Sequence, residues 1–289
     1  MRKIATTTED GLILSGQLFE SKDPENIIIH IHGMAGDLYF NSFYPPMQEN
    51  YPSNGWSFLT TENRGTHGML QLNTKDGEVR NIGNAFEKFE ESKYDIRGWV
   101  NKVKELGYKR IWLQAHSLGP SKVVYYMNKY PDNAIEGLIL LSPSDMLGLV
   151  QIPEAKKDHE ICLKQAKELI SQNEGHRLLD HMLWGCYKLS ANTYLNFFGE
   201  EANTNIFNYK SEDSWEMVNN LSIPVIAFTG TKDDGIVPVI DAYKAMERLE
   251  KELVNSPRIK TKIYKEGVHD FVGFGEDITK EVLDFINKE

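Results

Sequence analysis

Arg110-Ile-Trp-Leu-Gln-Ala-His-Ser-Leu-Gly119 decides how this chain is read. Its first half has the apolar composition of a buried strand. Its second half, Ala115-His116-Ser117-Leu118-Gly119, has the small-x-Ser-x-Gly form of a nucleophile elbow. In that device a strand turns into a helix so sharply that the serine takes a strained backbone conformation, and only small residues two before and two after it avoid a clash. Ala115 and Gly119 hold those places, with alanine where glycine is more usual. A helix is predicted to follow at once. Val123, Tyr126, Met127 and Tyr130 recur at three- and four-residue intervals up to Pro131, and Pro120 suits a first turn, where its missing N–H costs nothing. A lone Ser-x-Gly arises by chance in most chains of this size, so the strand before it and the helix after it give this one its weight.

Outward from that point, strand and helix patterns alternate. Lys3–Thr8 and Leu12–Phe19 read as a hairpin turning at Asp10-Gly11. Ile27-Ile-Ile-His-Ile31 is a short apolar run of the kind buried in a parallel sheet, and it leads into His32-Gly33-Met34-Ala35-Gly36. Glycines directly after such a strand let a backbone N–H approach a ligand, as an oxyanion-hole loop requires; a plain strand-to-helix turn would look the same. Trp56–Thr61 is a further strand feeding Glu62-Asn63-Arg64-Gly65. The chain from Met69 to about Phe86 reads as polar and irregular, and Ile96, Trp99, Val100, Val103 and Leu106 then define a helix closed by Gly107. Ile135–Leu141 and Pro224–Gly230 are strands, Val239–Leu253 a helix, Lys260–Tyr264 a strand, and Ile278, Val282, Phe285 and Ile286 mark a last helix. The alternation implies an α/β fold with a mostly parallel sheet and right-handed crossovers.

The pattern breaks between Leu147 and Leu221. Helical spacing in Ile161, Ala166, Leu169 and Ile170, and again in Leu178, Leu179, Met182, Leu183 and Cys186, predicts a helical cap inserted after the sixth strand. The core is then 1–146 with 222–289, and the cap 147–221. Aromatics crowd the second half of the insertion: Trp184, Tyr187, Tyr194, Phe197, Phe198, Phe207, Tyr209 and Trp215. Most of them are expected to form the insertion's own core, with two or three lining a pocket.

Composition narrows the function. The formal net charge of −10, with no cluster of Lys and Arg, argues against nucleic acid or another polyanion as partner. No secretory signal follows Met1 and no apolar run is long enough for a membrane span, so a cytoplasmic location is expected, with Cys162 and Cys186 reduced and buried. His159, His176 and His181 fall in this insertion, His176 and His181 make no helical zinc motif because no Glu stands between them, and neither a metal nor a cofactor is expected.

A serine hydroxyl needs a base within hydrogen-bond reach and a third group to orient that base. In open parallel sheets these partners belong just after later strands. Asp233-Asp234 follows the strand ending at Gly230, and His269 follows the strand ending at Tyr264. The order Ser117, Asp, His269 is that of the α/β-hydrolase superfamily, which the chain resembles over nearly its whole length. The resemblance implies Ser117 as nucleophile, His269 as general base and then acid, Asp233 as orienting carboxylate, and the N–H groups of Met34 and Leu118 as oxyanion hole. Counting back from Val237-Pro238 would favour Asp234 instead; distance from the strand end favours Asp233. Asp145 is a third candidate, with helix N-capping as its alternative role. His30 is expected in its strand's core, and His116 on the opposite side of the turn from the reacting groups. Glu62-x-Arg64-Gly65 is similar to a loop common in the superfamily, with the following glycine shifted.

Glu87–Tyr126, with Tyr94-Asp95-Ile96 and His116–Tyr125, and Ser190–Phe198 resemble a subgroup that includes siderophore-ester hydrolases. The implied activity is hydrolysis of carboxylic esters, with an apolar or aromatic acyl group suggested by the aromatic-rich insertion. Thioester or amide cleavage, acyl transfer to another acceptor, and non-catalytic binding of a small ligand use the same fold.

Overall fold

The computed structural model describes residues 1–288 apart from Pro24, Asp213 and Ser214. The strands in chain order are β1 (Arg2–Thr7), β2 (Ile13–Phe19), β3 (Asn26–Ile31), β4 (Ser57–Thr61), β5 (Leu70–Asn73), β6 (Val79–Ile82), β7 (Arg110–His116), β8 (Ile135–Leu141), β9 (Val225–Lys232) and β10 (Ile259–Val268). All but β5 and β6 join one sheet in the order β1-β2-β4-β3-β7-β8-β9-β10. The β1–β2 hairpin lies antiparallel at one edge, and from β4 to β10 every pairing is parallel. Every residue of β3 is buried, because a central parallel strand is covered on both faces. Its successive isoleucines alternate between two cores: Ile27, Ile29 and Ile31 pack with Trp99 and Val123 on one face, and Ile28 with Trp112, Tyr51 and Phe285 on the other.

The helices are α1 (Tyr44–Ser53), α2 (Ser92–Glu105), α3 (Gly119–Lys129), α4 (Met146–Gln151), α5 (Pro153–Ser171), α6 (Ala191–Phe198), α7 (Glu216–Asn219), α8 (Ala242–Glu252) and α9 (Gly275–Ile286). Helix α1 has no counterpart in the sequence reading. Pro45, Pro46 and Pro52 mask it, yet the first two stand in its first turn and Tyr44, Met47 and Tyr51 bury one face. The stretch expected to be irregular before Phe86 holds the β5–β6 hairpin, turning at Asp76-Gly77 with Gly77 at φ +82°. Its strands are four residues each and largely exposed, and Leu70 and Leu72 turn an apolar side toward the core in too short an alternation to stand out.

Helices α4 to α7 lie in the chain between β8 and β9, with no strand of the main sheet among them. The second helical stretch expected there is corrected: 178–190 folds back as paired bridges, Leu178 opposite Ser190 and Leu183 opposite Tyr187. The spacing of Leu179 and Leu183 buries both side chains equally well in this arrangement, and Trp184 (φ +49°) and Gly185 (φ +71°) take left-handed conformations that no helix contains. Cys186, expected to be buried, is therefore exposed, while Cys162 is buried on α5. Tyr194, Phe197, Phe198, Phe207, Tyr209 and Trp215 are buried in the insertion, which is tied to the sheet by polar bonds. Tyr209 Oη donates to the Pro143 carbonyl at 2.9 Å, and the Ser190 N–H to that of Ala85 at 2.8 Å. Among the described residues no helix is long and apolar enough to cross a membrane.

Candidate active site

Strand β7 ends at His116, and the chain reverses into α3 through Ser117 at φ +63° and Leu118. A serine in the left-handed region is strained, and the turn is held by its surroundings: the Ser117 N–H donates to the Leu141 carbonyl at 3.0 Å. Ile31 pairs with Ala115, which brings the loop after β3 against this turn. The approach is so close that a Cβ on Gly33 would lie 2.6 Å from that of Ser117. Only glycine fits there.

Asp233 directly follows β9 and His269 directly follows β10. Asp233 is fully buried, and its Oδ1 accepts from His269 Nδ1 at 2.7 Å and from the Gly235 N–H at 2.9 Å, while Oδ2 accepts from Thr229 Oγ1 at 2.9 Å. Burial alone would raise its pKa, but the His269 hydrogen bond and charge outweigh it, so the carboxyl is held below its ordinary range. Burial likewise pulls His269 down, and Asp233 more than reverses this, leaving the imidazole above its ordinary 6.5. Asp234 is 84 % exposed and 3.9 Å from the same ring nitrogen. Asp145 caps α4, accepting from the Gly148 N–H at 2.6 Å, and also receives the Tyr209 N–H at 3.1 Å. Asp233, Asp234 and His269 bring ligand-type atoms within 4.8 Å of one another, but the first and last already bond each other.

Two supports of His269 escaped the sequence reading. His116 was expected on the far side of the turn; instead its ring lies 4.7 Å from that of His269, and its Nε2 donates to the His269 carbonyl at 2.9 Å. Burial, then repulsion from His269, takes its pKa down to about 4, so it is a neutral donor near pH 7. Ser142, at φ +49° after β8, donates to the same carbonyl at 3.2 Å. No motif marks either role, since both act on backbone.

The loop 32–36 carries Met34, and Ala35 is left-handed at φ +51°. Among the described residues the N–H groups of Met34 and Leu118 donate to no protein acceptor, although both residues are buried. His32 pins the loop. Its Nε2 accepts from the Asn63 N–H at 3.2 Å, so its proton is on Nδ1, which donates to the Gly33 carbonyl at 2.8 Å. Burial and then nearby Lys122 lower its pKa to about 3, fixing that neutral form. Asn63 Oδ1 accepts from Lys122 Nζ at 3.2 Å, and Lys122 pairs with Glu87 at 2.5 Å, both side chains being wholly buried. His30, as expected, is core, with Gln114 donating to its Nδ1 at 2.9 Å.

Ser117 and His269 open onto a cavity with two arms. One, about 490 Å³, is lined by polar groups including Asn41, Asp37, Asp234 and Asp270. The other, about 370 Å³, is lined mainly by Met146, Leu149, Ile152, Trp184 and Pro238. Tyr187, Met34 and Asp234 border both. The Ser117 hydroxyl is partly accessible and bonds no protein group among the described residues, a looseness common before substrate binds.

No family model matches the chain, and no curated protein matches it in sequence. Solved structures match throughout its length. The siderophore hydrolase EstB from Aspergillus fumigatus superposes with a TM-score of 0.73 at 13% identity, over 99% of this chain and 97% of that one. A highly thermostable carboxyl esterase from Bacillus coagulans gives 0.68 at 15%, over 99% and 97%. Est1E from Butyrivibrio proteoclasticus, solved with ferulic acid bound, gives 0.65 at 19%, over 99% and 100%. The chain therefore has the α/β-hydrolase fold, a mostly parallel sheet flanked by helices.

Proposed function

We propose that this protein is a serine hydrolase of carboxylic esters, with Ser117 as nucleophile, His269 as general base and acid, and Asp233 as orienting carboxylate. The observation that carries the reading is a left-handed Ser117 sharing a cavity with a histidine whose Nδ1 is held by a buried carboxylate at 2.7 Å. The bond to Asp233 leaves Nε2 as the nitrogen that takes the serine proton as Oγ adds to the ester carbonyl. The uncommitted N–H groups of Met34 and Leu118 receive the oxyanion. Collapse of the tetrahedral intermediate sends the proton from Nε2 to the leaving alcohol, and water, deprotonated by the same nitrogen, then cleaves the acyl-serine. The esterase neighbours lend support at the level of fold alone. Residues 147–221 act as a cap that shapes the acyl side of the cavity.

A fluorophosphonate probe tests this. Wild-type protein is expected to be labelled and Ser117→Ala not, with p-nitrophenyl ester hydrolysis lost in parallel. Unlabelled wild-type protein would defeat the reading.

A further inference from the structure

Trp184 stands where its own backbone disfavours it. The turn Leu183-Trp184-Gly185-Cys186 has consecutive left-handed residues, φ +49° and +71°, closed by the Cys186 N–H to the Leu183 carbonyl at 3.1 Å. Consecutive positive φ values at the centre of a tight turn call for Asn-Gly or Gly-Gly, and a bulky side chain at the first position is a genuine outlier. Burial compensates only in part, because Trp184 remains 36 % exposed. Its indole is nevertheless propped in place, edge-on to Tyr187 at 6.1 Å and to Phe198 at 6.1 Å. One face of this assembly is part of the cavity that holds Ser117 and His269.

Backbone strain kept beside a cavity is one mark of a ligand-contacting position. Of the aromatics in the insertion, Trp184 and Tyr187 alone among the described residues line that cavity. Among the described residues its apolar arm is lined by no acidic or basic residue beyond Asp234 and His269. The other arm gathers Asp37, Asp234 and Asp270, and its Lys232 is already paired with Glu266 at 2.5 Å. An apolar chain therefore gains most in the first arm and a polar alcohol in the second.

We propose that Trp184 is the acyl-selecting residue: an apolar acyl group of medium length, or an aromatic one, lies against its indole in the arm floored by Met146, Leu149 and Ile152, while the alcohol occupies the acidic arm. This rests on the ester-hydrolase reading. The test compares kcat/KM for p-nitrophenyl octanoate and acetate in wild type, Trp184→Gly and Trp184→Phe. Glycine suits the left-handed turn, so the fold is retained, and the acetate rate monitors the catalytic groups. The octanoate-to-acetate ratio is expected to fall about tenfold in Trp184→Gly and to recover largely in Trp184→Phe. A ratio unchanged within about twofold, whatever the absolute rates, overturns the proposal. If the wild type hydrolyses neither ester, the hydrolase reading fails by itself. Calorimetric titration with octanoate then decides the matter for Trp184: weaker binding to Trp184→Gly upholds its role, and equal binding removes it.

Discussion

At the scale of single residues, the Asp233–His269 pair fixes a pH dependence. Asp233 holds His269 above its ordinary 6.5, so the neutral base accumulates only at higher pH, and the acid limb of kcat/KM is expected above pH 6.5. Asp233→Asn is expected to lower that limb and to cut kcat by about 10⁴-fold, because the imidazole loses both its charge partner and its tautomer control; a pH–rate profile of both proteins checks it. Asp145 predicts a pH dependence of stability. Burial, resisted by the Gly148 and Tyr209 N–H groups, raises it from 3.8 to about 6. Between those values the folded protein binds more protons than the unfolded chain, so this group makes stability fall as pH rises from 3.8 towards 6. The effect is roughly 3 kcal/mol at most. Denaturant titrations of wild type and Asp145→Asn across that range are expected to differ by a stability increment that shrinks as pH rises from 3.8 towards 6, the other carboxylates contributing alike to both. Ser117, Asp233 and His269 stood out in the sequence because chain order and strand ends mark them. Ser142 and the inward-facing His116 did not, since a side chain bonding a distant carbonyl leaves no local trace.

Among the elements, legibility followed burial. The strands β3, β7, β8 and β9 read clearly because a two-sided parallel sheet demands unbroken apolar runs. Helix α1 hid behind Pro45, Pro46 and Pro52, and the turn at Trp184 behind a leucine spacing that a helix and a fold-back satisfy alike. The motif helix α3 carries a further consequence. Lys122 is buried one turn beyond the elbow and, among the described residues, pairs only with Glu87 and the side-chain carbonyl oxygen of Asn63. Lys122→Met strands the Glu87 charge and is expected to destabilise the protein by about 3–5 kcal/mol, with much of the loss recovered in Lys122→Met/Glu87→Leu. Urea unfolding of the two variants measures the difference. A double variant no more stable than the single one would show that the pair is not an isolated energetic unit.

For the whole molecule, the insertion and the sheet are expected to unfold together. Tyr209 bonds both Pro143 and Asp145, Ser190 bonds Ala85, and Asn196 Oδ1 accepts the Phe89 N–H at 2.7 Å, so residues 147–221 cannot open without breaking polar bonds to the loop after β8 and to the β6–α2 connection. Calorimetry should record a single transition; two resolved transitions would separate the insertion as its own folding unit. That the described residues between β8 and β9 add no strand to the main sheet was legible from a gap in strand patterns, whereas these ties were not, being made by residues far apart in sequence. The left-handed residues have a last consequence. Ala35, Ser117, Ser142 and Trp184 all stand at or beside the cavity at φ values near +50° to +60°. A laboratory selection for heat tolerance alone would drift toward glycine or asparagine at these places and, on the ester-hydrolase reading, discard hydrolysis first. Durability and use are, in this protein, written into the same few residues.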